Sequence, residues 1–161
     1  MSILKVDTIN EKTSGNGVAI PGHVVQIVST NLAESHSYSS ASTAETNILT
    51  LNITPKFNTS KVLVLCNLGL YLNSGAAQSR GDLGIRRDST LIRGLDDGSG
   101  AGFFRDSSGH FKSYMTVFNV LDSPATTNTI TYKVFHKGHN YTAGGHFSKH
   151  HTNMTLMEIA Q

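Results

Sequence analysis

SKVLVLCNLGLYLN, residues 60–73, decides how the rest of the chain is read. It contains no proline, and after Lys61 it carries no charge. Side chains alternate across an extended strand, so Val62, Val64, Cys66, Leu68 and Leu70 project to one side and Leu63, Leu65 and Tyr71 to the other. A strand that is apolar on both sides has both faces at least partly covered. One cover is the core of a sandwich. The second must come from elsewhere, because one thin sandwich does not supply it.

Working outward, NILTLNIT at 47–54 alternates with Leu49, Leu51 and Ile53 on one side, and Pro55 to Asn58 turn the chain into the central strand. GDLGIRRDSTLIRG at 81–94 reads as two short strands around a turn at Arg87 to Thr90, where Asp88 and Ser89 bond locally to the backbone. SYMTVFNVLDS places Tyr114, Thr116, Phe118 and Val120 on one face, and NTITYKVFHK follows the connection Pro124 to Asn128. HVVQIVST at 23–30 and the terminal TLMEIAQ complete the set. Positions 29–47, rich in Ser, Thr, Ala and Asn, predict a surface loop or weak edge segment; 94–112 and 138–152 predict long polar loops. Seven or so short strands with no amphipathic helix predict an all-β antiparallel β-sandwich of jelly-roll type.

Residues 1–22 have a different character. Ile3, Val6 and Ile9 precede a polar turn at Gly15, Asn16 and Gly17; Val18 and Ile20 follow, and Pro21 and Gly22 break the pattern. This predicts an N-terminal β-arm for docking or assembly, separate from a globular domain at 23–161. A lone two-stranded ribbon is marginal in water, so the arm's apolar positions need a neighbour.

Composition narrows the chemistry. The 161 residues suit one ordinary domain, and 13 Lys and Arg against 11 Asp and Glu give a net charge of only +2, too little basic field to gather nucleic acid. No stretch approaches the ~18 apolar residues that span a bilayer, and the N-terminus has no signal-peptide core, so the expectation is synthesis in a cytoplasm without membrane insertion. Cys66, the only cysteine, reads as a small core hydrophobe.

Five of the eight histidines crowd into HKGHNYTAGGHFSKHH: His136, His139, His146, His150 and His151. Neutral imidazoles bind zinc, copper, nickel or iron, so a surface metal site shared between subunits is one reading. The spacing matches neither HExxH nor a Cys/His knuckle, which favours a solvated polar loop. Asp96, Asp97, Asp106 and Asp122 could supply a carboxylate pair for sugar hydrolysis, but loop aspartates beside glycine more often form turns. No serine sits in G-x-S-x-G, DDGSGAGF lacks a phosphate-loop ending, and Arg80-Gly81-Asp82 is too short a match to signal cell adhesion. No cofactor is expected.

The motifs LKVDTI and GNGVAIPGHVVQ, followed in order by SKVLV, LDSPATTNTITYKV and the terminal MEIAQ, resemble the virion proteins of bacteriophages. The likeness is strongest to tail-fibre and related appendage proteins of marine and cyanobacterial phages. It implies a non-enzymatic homotrimer whose globular part is similar to the jelly rolls of the tumour-necrosis-factor and complement-head type. On this reading Ile3, Val6, Ile9, Val18 and Ile20 dock the arm to other virion proteins of tail or capsid. Phe103, Phe104, Arg105, His110, His139, Tyr141 and His146 are the candidate contacts for a host saccharide or surface protein. The alternatives are a capsid decoration protein of cement or head-fibre type and, from another class, a carbohydrate-processing enzyme or metal-dependent lectin.

Overall fold

The computed structural model describes residues 6, 8–12, 14–15, 17–18, 20–32, 36–39, 44–73, 79–94, 104–106, 111–139 and 146–161. They form strands β1 (Val24–Leu32), β2 (His36–Ser39), β3 (Thr46–Ile53), β4 (Lys61–Asn73), β5 (Ser79–Arg87), β6 (Thr90–Gly94), β7 (Phe104–Asp106), β8 (Phe111–Asp122), β9 (Ile130–His139) and β10 (His146–Ile159). Among the described residues there is no helix.

The pairing is nested. β1 joins β10, β3 joins β9, β4 joins β8 and β5 joins β6, all antiparallel, as in one long ribbon with its bend at Asp88 and Ser89. Folding that ribbon over itself brings β10 onto β4 and β9 onto β5. The result is two sheets, β1-β10-β4-β8 and β3-β9-β5-β6, with β2 added to β10 and β7 to β5. This winding is that of a jelly roll, so the expected antiparallel β-sandwich is the fold observed.

The core lies between the sheets. Val62, Val64, Cys66 and Leu68 of β4 are fully buried, and their register partners Leu156, Met154 and Phe118 continue the same rows. From the other sheet come Leu83, Ile85, Tyr132 and Val134. Asp88 holds the ribbon's bend at φ +51°: its carboxylate accepts from Thr131 N at 3.0 Å, and its own N–H donates to Thr131 O at 2.8 Å. Asp tolerates this left-handed conformation better than most residues.

Three expectations need correction. Segment 29–47 is not a loop throughout, because β1 runs to Leu32 and β2 occupies His36–Ser39. Segment 94–112 contains β7 and the start of β8, and 138–152 contains the end of β9 and the first half of β10. In each case distant pairing imposes strand on a locally weak sequence: Ser39 on His146, Gly81 on Phe104, and Asn73 on both Phe111 and His146. The described residues of the N-terminal segment carry no strand; they form turns and irregular chain up to His23.

The strands give the sandwich two distinct ends. At one, here called proximal, lie Gly22, the β3–β4 connection, the β5–β6 turn, the β8–β9 connection and Ala160 after β10. At the other, distal, lie the strand ends Asn73, Ser79, Asp106, Phe111, His139 and His146. β10 is 14 residues long, so at ~3.3 Å per residue the two ends are about 45 Å apart.

Candidate functional site

The N-terminal segment is anchored at the proximal end by backbone bonds. Gly22 N donates to Ala160 O at 2.8 Å and Ala160 N to His23 O at 2.9 Å. His23 N closes on Ile20 O at 2.9 Å across Pro21 and Gly22, with Gly22 at φ +86°. That is a type II turn, which favours proline second and requires a residue tolerant of positive φ third. Further out, the Glu11 carboxylate accepts from Gly15 N and Gly17 N, both at 2.7 Å, and so fixes the polar turn read from the sequence. Beyond this clasp Val6 and Ile9 are about half exposed, at 51% and 55%, while Val18 and Ile20 are partly covered. Ile3 lies outside the described residues.

Beneath the anchor a buried carboxylate ties the proximal end together. Glu158 Oε1 accepts from Lys56 N at 2.8 Å and Phe57 N at 3.1 Å, while Oε2 accepts from Gln26 Nε2 at 2.5 Å. Gln26 Nε2 also donates to Thr54 O at 2.7 Å. Glu158 is wholly buried, and a buried carboxylate persists only when its oxygens are satisfied in this way. Sequence reading missed both Glu11 and Glu158, since their donors are turn amides or residues more than a hundred positions away.

The described parts of the two segments singled out for recognition come to the distal end on either side of β5 and of β4. Phe104 pairs with Gly81 and Arg105 with Arg80, while Arg80 on its other side pairs with His139. His146 stands at the distal end of the other sheet, paired with Ser39 and Asn73. Phe103, His110 and Tyr141 lie outside the described residues.

The histidines are divided between the sheets: His136 and His139 belong to β9, His146, His150 and His151 to β10. His136 is buried on the core side opposite Leu83, so it is not a surface ligand. Among the described residues no three His, Cys, Asp or Glu side chains come together to hold a metal ion. His151 sits at a bulge of β10 with φ +45°, beside a shallow depression of about 220 Å³ that Asn31 and Asn153 help to line.

The carboxylates considered for hydrolysis do not converge in what is described. Asp122 is held by Arg87 Nη1 at 2.7 and 2.9 Å and by Tyr132 Oη at 2.7 Å, joining the two sheets. Asp106 ends β7 at the far end of the fold, and Asp96 and Asp97 lie outside the described residues. Burial and the neighbouring Asp122 push the Tyr132 hydroxyl well above the usual tyrosine range, and burial pushes the Cys66 thiol up to about 12. Asp82 is buried in β5, which removes Arg80-Gly81-Asp82 as an adhesion tripeptide.

The outward face of the β1-β10-β4-β8 sheet has an apolar row, Ile27, Met157, Leu63 and Leu121, in register across all four strands. Two residues farther on come Ser29, Thr155, Leu65 and Asn119. The next row is Asn31, Asn153, Asn67 and Val117, in which Asn67 Nδ2 donates to Asn153 Oδ1 at 3.1 Å. Leu63 and Leu65 are half-buried by their neighbours, and nothing described in the chain covers the face.

No protein-family model matches the chain, and a search of the curated proteins finds no match either. Among solved structures, the infectious bursal disease virus VP2 subviral particle is similar with a TM-score of 0.47 and 15% identity, over 98% of this chain and 42% of that one. The Gx strain structure of the same virus gives 0.46 and 13%, over 97% and 42%. Its T13 particle gives 0.46 and 12%, over 84% and 36%. The chain thus spans less than half the length of these proteins. At such values the likeness is one of general shape.

Proposed function

We propose that the chain is a non-enzymatic structural protein of a virus particle: a homotrimeric surface knob attached by residues 1–22, with host-contacting loops at its far end. The observation that carries this reading is the polarity of the molecule. The arm leaves from the proximal end with Val6 and Ile9 exposed, while His146 stands about 45 Å away at the far end of β10, and Phe104, Arg105 and His139 lie at the distal end of the other sheet. A knob that attaches and recognises needs those functions at opposite ends, whereas an enzyme gathers its groups in one cleft. The resemblance of LKVDTI and GNGVAIPGHVVQ to phage appendage proteins supports the same conclusion.

The arm's docking would combine β-pairing with burial of its apolar side chains, at roughly 25 cal/mol per Å². Gold-tagged antibody on intact particles tests the reading by electron microscopy. Label at the tail supports the knob, label spread over the capsid replaces it with a decoration protein, and absence from the particle overturns the structural role. In parallel, a chain lacking residues 1–22 should fold and fail to join particles. If it unfolds, the arm belongs to the core and the division at 22 is wrong.

A further inference from the structure

The outward face of the β1-β10-β4-β8 sheet is unlike the rest of the described surface. Met115, Val117, Ile27 and Leu121 are 74%, 67%, 57% and 52% exposed and all lie on it. At ~4.8 Å between strands and ~3.3 Å per residue, the part of this face level with Met115 to Leu121 across the four strands covers on the order of 450 Å² in projection. The largest apolar patch of a typical monomer is about 300–600 Å² of accessible surface, and often functional. The accessible area of protruding side chains exceeds their projection, which brings the face toward the ~800 Å² per partner of a standard protein interface.

Its chemistry selects the occupant. Lys61, at the proximal rim, is the only charged side chain among the outward positions of the rows described above and the Val24–Ile159–Lys61 row beside them. A foreign partner recognised by charge has nothing to grip there, while a second copy meets almost no like-charge repulsion. The asparagine row points the same way. An amide both donates and accepts, so Asn31, Asn67 and Asn153 can be satisfied by neutral polar groups of a second copy. An apolar centre with a neutral polar border is the anatomy of a contact between subunits.

The β8 edge adds a second element. β8 is 12 residues long, its described neighbour in the sheet is β4 alone, and Met115 to Leu121 contains no proline and no charge. Edges of that kind invite pairing unless a partner covers them. We infer that this face, with β8 at its margin, is the surface through which copies of this chain contact one another. The inference rests on the self-association within the reading above and is independent of where on a particle the protein sits.

Light scattering after size-exclusion chromatography, on the full chain at tens of micromolar, tests it. The chain should run as an oligomer, and Val117→Lys and Met115→Lys should each shift it to monomer with an unchanged circular dichroism spectrum. Leu91→Lys, on the other sheet, should leave the mass unaltered. Val117→Cys provides a second readout that needs no loss of assembly, an intermolecular disulfide on mild oxidation. A monomeric wild-type chain, or Lys variants that keep their mass together with a Val117→Cys that does not cross-link, would overturn the inference. If the oligomer and its disruption are found but antibody finds no protein on particles, the face stands and the virion role falls.

Discussion

Arg87 of one sheet holds Asp122 of the other through two hydrogen bonds of 2.7 and 2.9 Å, and the Tyr132 hydroxyl completes the cluster at 2.7 Å. The group bridges the two layers near the proximal end, where the β8–β9 connection begins. Its partial burial makes these bonds count for more than an exposed ion pair.

Asp122→Ala should therefore lower stability by roughly 2–3 kcal/mol, and Tyr132→Phe by about 1 kcal/mol. Urea unfolding measures both. The double variant should fall short of the sum, because Asp122 is the shared partner.

Alkaline pH should weaken the fold. Tyr132 and Cys66 both have raised pKa values in the folded chain, so their contribution is fully present below their unfolded values and is lost as pH climbs. For Cys66 that window runs from 9.0, its unperturbed value, to about 12. Stability measured by denaturant should decline above pH 9, with a shallower decline in Cys66→Ala. A thiol reagent at pH 8 should modify Cys66 only at the rate at which the protein opens.

Gly84→Ala should cost about 1–3 kcal/mol by overpacking. A Cβ there would lie 2.5 and 2.6 Å from two atoms of the Phe135 ring, which is buried on the side of its sheet away from the shared core. The Arg86 guanidinium stacks over that ring 5.1 Å from its centroid while paired with Glu45. Thermal unfolding of Gly84→Ala with and without Phe135→Leu checks the cause, since the smaller side chain should recover part of the loss.

Glu11→Ala should release the arm's turn without affecting the sandwich. Hydrogen exchange at the Gly15 and Gly17 amides should accelerate while the thermal midpoint stays put, because both acceptors are on Glu11 and the clasp is exposed. Glu11→Gln keeps one acceptor oxygen and should loosen only one of the two.

The central strand was legible because its two parities are both visible in SKVLVLCNLGLYLN, and the structure puts Val62, Val64 and Cys66 in the core while Leu63 and Leu65 face outward. The turn at Asp88 was legible from its turn-forming letters, but the bond that holds it is not the local one expected: the carboxylate accepts from Thr131 N, 43 positions away. β2 and β7 were not, since HSYS and FRD become strand only by lying against β10 and β5. Of the arm, the glycine turn could be read from neighbouring letters. Glu158 could not, because a polar letter in TLMEIAQ gives no sign that Gln26 and the amides of Lys56 and Phe57 will surround it.

The nested pairing also sets an order of events during synthesis. β1 has its strand partner in β10, and Gly22 and His23 bond to Ala160, so residues 22–32 wait for residues 152–160 before they can pair. Until Glu158 has left the ribosome the first sheet lacks a member, and the amides of Lys56 and Phe57 lack their carboxylate acceptor. A polypeptide stopped before β10 would keep β1 unpaired and the proximal end open.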